Sequence, residues 1–181
     1  VIKKGDKQMV NLKTERLILR NEKLEDAETL YKFLGCDAEM SKYTGWNPYI
    51  TLDSAKKKIE QDIKNSEDKN FYSWVIQFKD EIIGTIGAYD YEPQTNSIEI
   101  GYSIFRNAWG KGYATEALSE VIRYLFEDKS ISRVHAWSHM DNTASQKVLE
   151  KAGMKREGIK KNLDGIAIEQ VIYGILRNDR K

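Results

Sequence analysis

The stretch "SIEIGYSIFRNAWGKGYATEALSEVIRYLF", residues 97–126, constrains the fold more than any other part of this chain. Its first half alternates Ile98, Ile100, Tyr102 and Ile104 with Glu99, Gly101 and Ser103, the period-two pattern of a strand with one apolar and one polar face. Its second half places Ala114, Ala117, Leu118, Val121, Ile122, Leu125 and Phe126 at helical spacing, an apolar stripe about four turns long. Between them stand Gly110, Lys111 and Gly112. A strand therefore passes through a glycine turn directly into a helix, and the helix opens with free amides and the positive end of its dipole.

Such a loop suits either of two roles. It can cradle a phosphate against the helix N-terminus, or it can be a tight turn that needs glycine for positive φ and binds nothing. Two known phosphate motifs are excluded by the residues. A P-loop would need glycine where Phe105 stands and Ser or Thr where Gly112 stands. A dinucleotide fingerprint would need glycine at Thr115 and repeated βαβ units around it, and the flanking sequence offers hairpins instead.

The remainder of the chain reads as a mixed α+β domain. Leu17, Ile18 and Leu19 form a short strand, "EDAETLYKFLG" a helix with Gly35 as its stop, and Ala55, Ile59 and Ile63 mark a second helix. "FYSWVIQF" and "IIGTIGAYDY" form a hairpin closed at "KDE". Past the long helix come the strand "SRVHAWS", the capped helix "DNTASQKVLEKAG" and a last hairpin, "MKREGIKK" with "IEQVIYGIL". At 181 residues one domain over 1–181 is expected, with residues 1–9 a frayed end. Lysine and arginine number 29 against 28 acids, so a net charge of +1 gives no field for a nucleic-acid backbone. Apolar runs fall far short of the roughly 20 residues that span a bilayer. A lone cysteine, Cys36, rules out an internal disulfide, so a cytoplasmic protein with neither nucleic-acid nor membrane partners is expected. His135 and His139 straddle a strand and its exit with no third ligand nearby, so no metal site is expected.

The run "YSIFRNAWGKGYATEAL" resembles the acetyl-coenzyme A loop of the GNAT acyltransferases, in particular the branch of ribosomal-protein alanine N-acetyltransferases. That loop reads Gln or Arg, two residues, Gly, one residue, then Gly or Ala, and here becomes Asn107, Gly110 and Gly112, with Arg106 next to the departing first position. The likeness extends from "LKTERLILR" through "YTGWNP" to "DNTASQKVLEKAGMKREG" and the final hairpin. It implies the GNAT fold: a mixed, mostly antiparallel seven-stranded sheet flanked by about four helices, in which two parallel central strands splay apart. Pantetheine would lie in the splay like an extra strand. The cofactor-binding residues implied are Ile104, Phe105, Asn107, Trp109, Gly110, Lys111, Gly112, Tyr113, Ala114, Asn142 and Ser145, with backbone amides at Ile104 and Phe105 holding pantetheine or polarising the thioester carbonyl.

The reaction implied is attack of a neutral amine on the thioester of acetyl-CoA. An α-amine with pKa near 8 costs about 1 kcal/mol to deprotonate at pH 7, against roughly 4 to 5 kcal/mol for lysine, so a protein or peptide N-terminus is the expected acceptor. Glu99, the carboxylate on the strand beside the thioester, is the candidate base, alternatively a buried partner of a neighbouring cation. No tyrosine occurs between Ser138 and Gly158 to protonate the thiolate, a role many GNAT enzymes give to tyrosine. The resemblance gives that donor role to Ser145 and pantetheine binding to Asn142; small-residue packing and helix capping are their plainer uses. Tyr43, Trp46 and Tyr49 are either core or a wall of the acceptor pocket. A small-amine acceptor, a polyamine or aminoglycoside, would need acids converging on that pocket, with Asp37, Glu39 and Asp53 nearest in sequence; a non-catalytic acyl-CoA sensor would need no base. A homodimer stays open.

Overall fold

The computed structural model describes residues 10–43, 47–161 and 169–179. Strands β1 (Leu12–Lys13) and β2 (Leu17–Asn21) lead into helix α1 (Ala27–Leu30), which widens into a π-turn over Tyr31–Gly35. The short α2 (Ala38–Ser41) and the longer α3 (Leu52–Asn65) follow. Next come β3 (Tyr72–Phe78), β4 (Glu81–Glu92) and β5 (Ser97–Ile104), then α4 (Tyr113–Glu127), β6 (Arg133–His139), α5 (Thr143–Lys151), β7 (Lys155–Lys161) and β8 (Glu169–Leu176). The expected strands all form, in one sheet of eight ordered β1-β2-β3-β4-β5-β6-β8-β7. The eighth is β1, whose two residues pair Leu12 with Leu19 and are too short to carry a readable period. The fifth helix is α2, a single turn.

The sheet is covered on both faces, as alternation along its strands requires. Leu19, Trp74, Ile86, Ile98 and Ile100 point to the face packed by Leu118, Val121 and Leu125 of α4 and Leu149 of α5. Val75 and Phe105 point the other way and join Leu30, Ala55 and Ile59 from α1 and α3. Burying each such side chain is worth roughly 1.5–3 kcal/mol, so the apolar stripe of α4 anchors the turn at its head. Two ion pairs tie the N-terminal strand to its surroundings. Arg20 grips the buried Asp26 with two parallel bonds of 2.8 and 2.7 Å, fixing the entry to α1. Arg16 pairs with Glu116 of α4 and donates to the Lys111 carbonyl at 3.1 Å, which pins the glycine loop to β2.

The helical run ends at Gly35 as expected, but Cys36 caps it in ordinary right-handed geometry, so the glycine is not there for a left-handed stop; a Cβ on Gly35 would lie 1.8 Å from the Tyr49 carbonyl oxygen. The glycine is required by close approach of the chain that carries Tyr49, which Asn47 reinforces by donating to the Leu34 carbonyl at 2.8 Å.

Candidate active site

Among the described residues one pair of neighbouring strands is parallel, β5 with β6, and it holds for a short distance: Ser97 faces Arg133, Ile98 faces Val134 and Glu99 faces His135, after which the ladder ends. Both strands run on, to Ile104 and His139, so they part over their C-terminal halves. Alternation in β5 then decides which backbone groups face the gap. The Phe105 amide donates to the Ile83 carbonyl at 2.8 Å, so the odd positions at this end serve β4 and the even ones, Tyr102 and Ile104, face the opening. The expectation of an available Phe105 amide is thereby corrected. Phe105 instead stacks on Phe33 with ring centroids 4.8 Å apart, closing the floor beneath the loop. The Ile104 carbonyl accepts from the indole of Trp109 at 2.6 Å.

The glycine loop takes the shape expected of a backbone cradle. Gly110 has φ of 74° and Gly112 has φ of 81°, the left-handed region that disfavours side chains. Gly112 is the N-cap of α4 and gives it no side-chain cap, leaving the first-turn amides at Tyr113 and Ala114 without intrahelical acceptors. A Cβ on Gly110 would meet nothing within 4 Å, so it is the backbone conformation that calls for glycine there. Asn107 and Lys111 are exposed, and Lys111 donates to the Asn107 carbonyl at 3.0 Å, bracing the loop across its mouth.

A cleft of about 340 Å³ passes through the gap from one face of the sheet to the other. On the α5 side it is lined by Tyr102, Ser138, Asn142 and Ser145, and on the α1 and α3 side by Tyr43, Tyr49, Tyr89, Glu22, Ser73 and Asp62. Asn142 caps α5, its Oδ1 accepting from the Ser145 amide at 3.1 Å. The Ser145 hydroxyl lies 2.9 Å from the Tyr102 hydroxyl. Burial pushes the Tyr102 phenol up to about 12, so it holds its proton at neutral pH. β5 thus sets a protonated tyrosine hydroxyl beside Ser145, although Tyr102 shares the strand face of Ile98, Ile100 and Ile104.

Glu99 is absent from the cleft lining. Burial, with Asp90 as a nearby like charge, raises its carboxyl, while a hydrogen bond from Trp137 works the other way. Its Oε2 stands 3.7 Å from Nε2 of His135, a ring that burial and then Arg133 hold toward its neutral form. Glu99 therefore abuts the cleft through Trp137 and Tyr89, which do line it. Of the aromatic loop, Tyr49 is buried and Tyr43 packs against the His139 ring at 5.5 Å; Trp46 lies outside the described residues. Asp37, Glu39 and Asp53 do not converge: each forms an ion pair at the surface, with Arg106, Lys42 and Lys57 respectively. The acids that do meet in the cleft are Glu22 and Asp62. Sequence offered one signal for them, since Asp62 falls on the same stripe of α3 as Ala55 and Ile59 and is buried with them. Among the described residues, no group of His, Cys, Asp and Glu could hold a metal ion, and no helix is long and apolar enough to cross a membrane.

A splayed parallel pair beside an uncapped helix led by a glycine loop is the arrangement the GNAT resemblance implies, and the comparisons agree. Residues 16–155 match the acetyltransferase (GNAT) domain family, and the chain belongs to it. It is 32% identical over 176 residues to the uncharacterized N-acetyltransferase p20 of Bacillus licheniformis, covering 94% of this chain and 98% of that one. A GNAT-family acetyltransferase from Bacillus anthracis superposes with a TM-score of 0.81 at 26% identity, covering 93% of this chain and 99% of the other. The ribosomal L7/L12 α-N-protein acetyltransferase RimL, solved in complex with coenzyme A, shares the fold with a TM-score of 0.84 at 20% identity, over 92% of this chain and 98% of that chain.

Proposed function

We propose that this protein transfers the acetyl group of acetyl-CoA to a primary amine by direct attack. The observation that carries the reading is the opening of β5 from β6 beyond Glu99, with the amides of Tyr102 and Ile104 turned into it and the free N-terminus of α4 at its end. Pantetheine fits such a gap as a strand would, and the pyrophosphate fits the first turn of α4, where amides and helix dipole both favour an anion. RimL, of the same fold, was solved with coenzyme A.

The amine nitrogen adds to the thioester carbonyl carbon, the oxyanion that forms takes the amide hydrogen bond of the strand edge, and the C–S bond then breaks to release the thiolate. Ser145 donates a hydrogen bond to the departing sulfur, and the neighbouring Tyr102 hydroxyl, which keeps its proton, supports Ser145 through the hydrogen bond they share; the thiolate leaves as the anion and takes its proton from water. A thiol pKa near 8.5 makes this help modest. The proton leaving the amine goes to Glu99 by way of water, because Glu99 itself stands outside the lining.

Two acceptor classes follow from the reaction. A protein or peptide N-terminus is favoured by its low deprotonation cost. A compact acceptor with more than one positive charge is favoured by a specific feature, the meeting of Glu22 and Asp62 inside the cleft. The test is thiol release from acetyl-CoA against N-terminal peptides, simple monoamines, diamines and aminoglycosides. Release with at least one amine class supports transfer, and release unchanged by any amine would make the protein an acyl-CoA sensor.

A further inference from the structure

We propose that Glu22 and Asp62 form an ammonium subsite at the α3 end of the cleft, which selects acceptors bearing a second cationic nitrogen besides the amine that is acetylated. The inference rests on the acetyltransferase reading and names the acceptor class for it.

Glu22 follows β2, Asp62 and Lys58 come from α3, and Ser73 comes from β3, so elements distant in sequence bring their polar groups to one place. Glu22 is 7% exposed and Asp62 4% exposed, depths at which carboxylates stand only when paired. Lys58 pairs with Asp62, which accounts for one of the two charges. Glu22 is left. Its Oε1 accepts from the Ser73 hydroxyl at 2.9 Å, but its Oε2 is buried with no hydrogen-bonding partner. An unmatched buried carboxylate oxygen is costly, and its residue lines the α3 side of the cleft, across from Tyr102 and Ser145. A ligand N–H would complete it, and a cationic one would also balance the remaining charge. Tyr49 and Tyr89 line the same space, and aromatic rings attract ammonium groups.

Without a ligand, a proton can take the cation's place. Burial first, and then the charge of Asp62, raises the Glu22 carboxyl to about 7, with Lys58 and Ser73 opposing and a hydrogen bond shared with the Asp62 carboxyl adding to the rise. The groups facing it are Asp62 and Lys58 of α3, Ser73 of β3 and the Tyr49 phenol. Binding of an ammonium displaces that proton, so the subsite strengthens as pH rises through neutrality.

The experiment compares matched acceptors in the whole chain: putrescine against n-butylamine and cadaverine against n-pentylamine, with KM and kcat measured by thiol release. The expected KM of each diamine is at least about tenfold below that of its monoamine, the effect of one charge-assisted contact. The advantage should grow as pH rises through about 7, where the carboxyl loses its proton. Glu22→Gln, checked for folding by circular dichroism, should erase the ratio by raising the diamine KM. Equal KM values for diamine and monoamine in the unaltered protein overturn the subsite without any variant being needed. A Glu22→Gln protein that loses kcat on all amines alike, with the KM ratio intact, also overturns it by making Glu22 the base. Failure of the acetyltransferase reading looks different: no amine of any kind turns over, and acetyl-CoA does not raise the unfolding temperature.

Discussion

The two ends of the cleft are built by different means. At the α4 end, contiguous residues make the site from backbone: two glycines in the left-handed region and a helix with no side-chain cap. At the α3 end, side chains from β2, α3 and β3 make it, and no backbone group of theirs need be special. The first is set by local conformation and, on the proposed reading, holds a group common to every acyl-CoA. The second is set by packing of distant elements and can change one residue at a time without disturbing the fold. If the proposed sites hold, cofactor and acceptor recognition are separable, and the two ends yield expectations that differ in kind.

The largest effect is expected at the backbone end. Gly112→Val forces a β-branched residue to positive φ, costing roughly 1–2 kcal/mol of stability, and crowds the Arg16 guanidinium that ties the loop down, disturbing the first-turn amides proposed to hold the pyrophosphate. Acetyl-CoA affinity by calorimetry should drop by about a hundredfold or more, about 2.7 kcal/mol. An affinity kept in the folded variant would break the assignment of that end.

Glu22→Gln should act next most strongly, and through pH. A carboxyl whose pKa rises on folding, from an ordinary 4.5 to about 7, binds its proton more tightly in the native state. Its stabilising effect is therefore complete below about 4.5 and is lost as pH rises to 7. The loss is on the order of 3 kcal/mol. Denaturant unfolding at pH 8 should then find Glu22→Gln more stable than the unaltered chain, with the difference vanishing near pH 4. The same gap at both pH values would mean that the buried carboxyl titrates normally.

Between the ends, Ser145→Ala and Tyr102→Phe should each lower kcat by about tenfold, near 1.4 kcal/mol, and the double variant should be little worse than either alone, because the two hydroxyls act as one unit. Additive losses would separate their roles. The smallest effect belongs to Arg16→Ala. Its pair with Glu116 is partly exposed and worth under about 1 kcal/mol, so stability should barely change while the KM for acetyl-CoA rises a few-fold as the loop loses its tie to β2.

This contrast also explains what the sequence made legible. Strand, glycine loop and helix could be read directly because their determinants are consecutive, and the helix starts at Tyr113 as its apolar period required. The family pattern added the parallel pair, and the structure showed where it opens. Tyr102 escaped notice because its hydrogen-bond partner, Ser145, lies 43 residues away, and nothing in an isolated strand tells a buried tyrosine from one that lines a gap. The acids near the aromatic loop were misleading for the same reason. Asp37, Glu39 and Asp53 are close in sequence but turn to surface cations, whereas Glu22 and Asp62 meet only once β2 and α3 have packed. Asp62 on the apolar stripe of α3 was the one local sign of that meeting.

The central claim is that the opened strand pair and the head of α4 hold acetyl-CoA, and thermal unfolding of the unaltered chain with and without acetyl-CoA tests it most directly. At about 100 times its dissociation constant the ligand should add roughly 2.7 kcal/mol to stability and raise the unfolding temperature measurably. An unfolding temperature that does not move at millimolar acetyl-CoA would contradict the account.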